Sequence, residues 1–72
     1  MVDYIAIYFD KDVDCYGVGV MEHFDPFPNV MYCDTKEMAM KHAMYLADHH
    51  KVEIRVIGED GKLEEIIANG LL

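Results

Sequence analysis

This sequence predicts an α+β domain: a single antiparallel-rich β-sheet with one helix packed on one face. The order is β-β-β-α-β, with residues 62–67 able to pair back as a fifth strand. Three observations point there. Residues 34–50 are the only stretch whose apolar spacing suits a long helix, of about four turns. The stretches on either side carry β-branched and aromatic residues in short runs, as strands do. And 72 residues make one small domain with a thin core, so residues 1–72 are read as a single unit.

The helix organises the rest. Asp34 and Glu37 stand at capping-box spacing, with Thr35 a competing N-cap one residue on. Ala39, Met40, Ala43, Leu46 and Ala47 share one wedge, with Met44 at its edge, and the alanines let the axis come close to a sheet. Glu37, Lys41 and Asp48 belong in water. Met38, His42, Tyr45 and His49 form a second stripe on the side away from the sheet, which makes them candidates for a contact surface. The plainer reading of that stripe is ordinary single exposure.

Residues 4–9 read as a strand with Ile5, Ile7 and Phe9 on its apolar side and Tyr4, Ala6 and Tyr8 on the other. Residues 10–14 form a hairpin connection. Its alternate aspartates do not make a calcium loop, because Cys15 and Met21 stand where such a loop needs glycine and glutamate. In the second strand, residues 15–21, Tyr16, Val18 and Val20 share a side, while Gly17 and Gly19 leave the other side bare. Residues 22–29 are an irregular connection, since Pro26 and Pro28 exclude regular pairing. Phe24 and Phe27 there either plug the end of the core or are offered to a partner. Residues 30–33 are a short third strand. After the helix, Val52, Ile54 and Val56 point in while Glu53 and Arg55 point out, and residues 58–61 turn the chain. On the outer side of the sheet, Tyr4, Tyr8, Met31 or Cys33, and Ile57 make a second candidate surface, for which another copy of the chain is the simplest cover.

Fourteen acidic against six basic residues give a formal charge of -8. That balance argues against an electrostatic grip on nucleic acid or anionic membrane and suits a basic protein partner. No run approaches the ~18 apolar residues of a membrane span, and no basic-then-apolar leader is visible. Cys15 and Cys33 read as free thiols, and the expected location is cytoplasmic.

No catalytic, cofactor or metal site emerges. The chain has no serine to act as nucleophile. His49 and His50 are helix neighbours about 100° apart, His42 and His49 are two turns apart, and no zinc-type histidine pair is present. Gly17-Val18-Gly19 lacks the remainder of any phosphate-binding motif.

Several segments together resemble the N-terminal domain of the HicB family of bacterial and phage antitoxins: residues 5–9, the acidic turn into Cys15-Tyr16, Phe24-Asp25-Pro26-Phe27-Pro28-Asn29, Asp34-Thr35, Glu37-Met38-Ala39 and His42-Ala43. The resemblance spans roughly residues 3–50. It implies a partial RNase-H-like fold without nuclease activity, self-association, and the masking of a small basic toxin. Asn29 stands where the family ends its motif in proline-glycine, Met38 stands for a glutamate, and nothing here matches the family's C-terminal DNA-binding domain. Asp34-Thr35-Lys36-Glu37 with the helix alanines, residues 52–57 and Gly61-Lys62-Leu63-Glu64-Glu65 are also similar to an uncharacterised family of short ββαββ proteins, which implies the fifth strand. The functional expectation is a non-enzymatic acidic binding domain that masks a basic toxin. The alternatives are a solitary effector that blocks a host nucleic-acid-binding protein by charge mimicry, and a small metal-dependent nuclease.

Overall fold

A computed structural model of the chain describes residues 1–23 and 29–68. Its elements are β1 (Val2–Asp10), β2 (Cys15–Glu22), β3 (Asn29–Cys33), α1 (Lys36–His50), β4 (Ile54–Ile57) and β5 (Leu63–Ile67). They form one five-stranded sheet in the order β3-β2-β1-β4-β5, with α1 packed on one face. The β1/β4 pair is parallel and the other three are antiparallel, so the expected antiparallel-rich sheet is mixed, and residues 63–67 do form its fifth strand. Phe24 and Phe27 lie outside the described residues.

The connections follow from local chemistry. In the β1–β2 turn the Asp10 carboxylate accepts from the Asp12 N–H at 3.0 Å, and Asp14 takes a left-handed conformation (φ 55°) that aspartate tolerates. Thr35, not Asp34, caps α1: its hydroxyl accepts from the Met38 N–H at 3.2 Å. Lys51 closes the helix in a left-handed conformation, its N–H donating to the Ala47 carbonyl, and the Val52 N–H reaches the same carbonyl at 3.1 Å. The β4–β5 turn needs Gly61, at φ +82°, and is held by the Gly61 N–H donating to the Gly58 carbonyl at 2.9 Å.

The core lies between helix and sheet. Ala39, Ala43 and Ala47 are wholly buried and bring α1 down onto Ile5 and Ile7 of β1, Val18 of β2, Cys33 of β3, and Ile54 and Val56 of β4. Each buried isoleucine contributes about 1.5–3 kcal/mol of hydrophobic stabilisation. Met40, Leu46 and Val52 flank this cluster half-buried, while Met44 is 41% exposed and falls outside the wedge. Alternation along β1 then turns Tyr4, Ala6, Tyr8 and Asp10 to the opposite side, where none of the described elements forms a second layer.

Candidate functional site

The expected contact residues divide between two surfaces on opposite sides of the molecule. On α1, the stripe away from the sheet is exposed along its length: Met38, His42, Tyr45 (73% exposed) and His49. Tyr4 and Tyr8 lie half-buried on the outer sheet face and cannot be touched together with that stripe by one small flat surface.

The outer face is the better structured of the two. The Arg55 guanidinium lies 4.1 Å from the centre of the Tyr4 ring, and its Nε donates to the Glu53 carboxylate at 2.7 Å. Tyr8 covers Gly17, and the Tyr32 hydroxyl donates to Asp10 at 3.2 Å. Burial, the neighbouring Tyr32 and the Asp10 charge push the Tyr8 hydroxyl above its usual pKa. The β2/β3 register corrects the composition of this face. Val18 faces Met31 and Tyr16 faces Cys33, so Met31 and Cys33 lie on the helix side, with Cys33 in the core. Tyr32 and Val30, opposite Gly17 and Gly19, occupy the outer face instead. Tyr32 was missed because a short strand without clear alternation does not declare its inner side.

A third feature appears only in the fold. Strand β1 pairs with β2 as far as Asp10 opposite Cys15, but with β4 only as far as Ile7 opposite Val56. Beyond that point β4 turns away at Gly58, whose N–H donates to the Lys62 carbonyl at 2.8 Å. The parting strands leave a notch of about 480 Å³. Ile7, Val56 and Ile57 form its apolar wall, with Phe9 and Tyr16 packed edge-on at 5.1 Å. Glu59, Asp60, Glu64 and Lys36 also line it.

The notch opens at an acidic pole. Because β1, β3 and β4 all end there and β2, α1 and β5 all begin there, the fold gathers Asp10, Asp12, Asp14, Asp34, Glu37, Glu59, Asp60 and Glu64 at one end of the molecule. Lys11, Lys36 and Lys62 are the cations with them, which leaves an excess of five negative charges out of the net -8.

No group of three or more His, Cys, Asp or Glu residues suited to a metal ion occurs among the described residues. The His49 and His50 rings lie edge-on at 4.9 Å. Cys15 and Cys33 are free thiols as expected, Cys33 buried and Cys15 half-buried. No helix among the described residues is long and apolar enough to cross a membrane. No family model, curated protein or solved structure matches the chain.

Proposed function

We propose that this chain is a non-enzymatic binding domain that captures and masks a small basic protein. The carrying observation is the acidic pole, where carboxylates scattered through the sequence converge on one end of a compact fold. Such a field accelerates encounter with a basic surface and repels nucleic acid. Masking of a toxin is the most specific form of this reading and draws on the resemblance to the antitoxin domain. A host nucleic-acid-binding protein blocked by charge mimicry is the second form, and both act in the cytoplasm.

The outer sheet face has a different character. Tyr4, Ala6, Tyr8, Met21, Val30, Tyr32 and Ile66 carry no charge, Arg55 is neutralised by Glu53, and Asp10, at the end of β1, accepts from the Tyr32 hydroxyl. A weakly charged aromatic face on a strongly acidic chain suits a second copy better than a basic partner, and it would supply the missing layer.

The test is calorimetric titration of the chain against defined small basic proteins, including the product of any small basic reading frame beside its gene. Saturable binding is expected, with affinity that falls as salt rises and with loss of the partner's own nucleic-acid binding. The reading fails if no basic protein binds at low salt, or if binding is insensitive to neutralising Asp12, Asp14 and Glu37. Sedimentation of the free chain should give twice the chain mass, and Tyr32→Glu should restore the monomer; a monomeric wild type removes the second-copy reading.

A further inference from the structure

We propose that the notch between β1 and β4 is the seat of an arginine side chain from the basic partner. This deepens the reading of the chain as a binder of basic proteins and rests on it.

The shape and lining of the notch carry the inference. Its volume, about 480 Å³, lies within the roughly 300–1,000 Å³ usual for small-ligand sites. That is room for an arginine side chain and the peptide unit that bears it. The wall of Ile7, Val56 and Ile57 suits the aliphatic stem, which prefers apolar surface while its head stays polar. Phe9 and Tyr16, set edge-on, present aromatic surface to a flat cation. Glu59, Asp60 and Glu64 supply carboxylates to a guanidinium fork. Among the described residues, the Glu59 and Glu64 side chains make no hydrogen bond or ion pair, and Asp60 uses one carboxylate oxygen to accept from the Lys62 N–H at 3.0 Å.

The same chemistry already operates within the chain. Arg55 lies over the Tyr4 ring at 4.1 Å while donating to Glu53, so a tyrosine with a carboxylate beside it is a guanidinium holder that this fold builds elsewhere. Alternative ligands suit the notch less well. An anion would meet three carboxylates against Lys36 alone, and the Met38 N–H at the nearby start of α1 is already taken by Thr35. A lysine would bring the charge but not the planar head that stacks and forks.

The experiment is an NMR titration of the full chain with the peptide acetyl-Gly-Arg-Gly-amide, run beside its lysine and citrulline counterparts. The arginine peptide should shift the amides of Phe9, Tyr16, Ile57 and Glu64, the lysine peptide should bind more weakly, and the uncharged citrulline peptide should shift none of them. Glu64→Gln, at an exposed position, should weaken the arginine peptide about 5- to 10-fold, and Lys36→Gln should strengthen it. Equal shifts with citrulline, shifts confined to α1 or the outer sheet face, no shifts at millimolar peptide, or unchanged affinity in Glu64→Gln would each overturn the assignment. If a basic protein still binds while Glu64→Gln leaves its affinity unchanged, the notch is not the seat and the wider function stands. If no basic protein binds either, both fall.

Discussion

The Tyr8 ring fills the space that a side chain at Gly17 would need: a Cβ on Gly17 would stand 2.5 Å from Tyr8 Cζ and 2.8 Å from its hydroxyl oxygen. Gly17 is therefore glycine for want of room and not for its backbone angles, since Gly61 is the glycine described at positive φ. The contact joins β1 to its antiparallel neighbour β2, because Tyr8 and Gly17 are register partners. It also orients the Tyr8 hydroxyl toward Tyr32 and Asp10.

Gly17→Ala should force the Tyr8 ring away and destabilise the fold by about 1 kcal/mol, or roughly 4–8 °C in melting temperature. The cost stays small because the obstructing atoms belong to the far end of a side chain. In a Tyr8→Ala background the same change should cost almost nothing further, since the obstacle is gone. Thermal melts of the four proteins check this, and additive losses would show that the contact is not what requires glycine.

Alkaline pH should loosen the fold partly through Tyr8. Its folded pKa is raised, first by burial and then by Tyr32 and Asp10, so the folded state favours the neutral phenol. The contribution is complete below the unfolded tyrosine value of about 10 and is lost as pH rises through the higher folded value. Tyr8→Phe should therefore flatten the fall in melting temperature above pH ~10. An equally steep fall in Tyr8→Phe would assign it to other groups.

The two sides of α1 should respond unequally to substitution. Ala43 is wholly buried against the sheet, so Ala43→Leu should cost about 1–3 kcal/mol or more by overpacking. Tyr45→Ala, at a residue 73% exposed, should leave stability within about 0.5 kcal/mol of the parent. Denaturant unfolding measures both. A large loss in Tyr45→Ala would mean that the outer stripe is covered, as it would be in a self-associated state.

Much of the fold was legible because it depends on local period. Ala39, Ala43 and Ala47 recur every fourth residue, and Ile5 with Ile7, or Ile54 with Val56, every second; backbone geometry alone then places them on one side of a helix or strand. The cap was half legible: Asp34 and Thr35 both qualified, and only the entry of the chain from β3 set Thr35 at the Met38 N–H. The candidate surfaces were legible residue by residue, but not as surfaces. Met31 and Cys33 lie on the helix side, against the expectation that one of them faces outward, because β3 takes its register from β2, a pairing between distant segments.

The amino-acid order by itself determined the element sequence, the alanine wedge, the inner sides of β1 and β4, and the net charge of -8. Only tertiary structure decided where that charge sits. Asp10 and Glu64 are remote in sequence, yet the parallel return of β4 beside β1 brings both to one pole. It also ends the β1/β4 pairing at Ile7, which opens the notch between them. Local periodicity is a property of a few consecutive residues, whereas register and strand order are settled only when a distant partner closes the loop and buries the shared core.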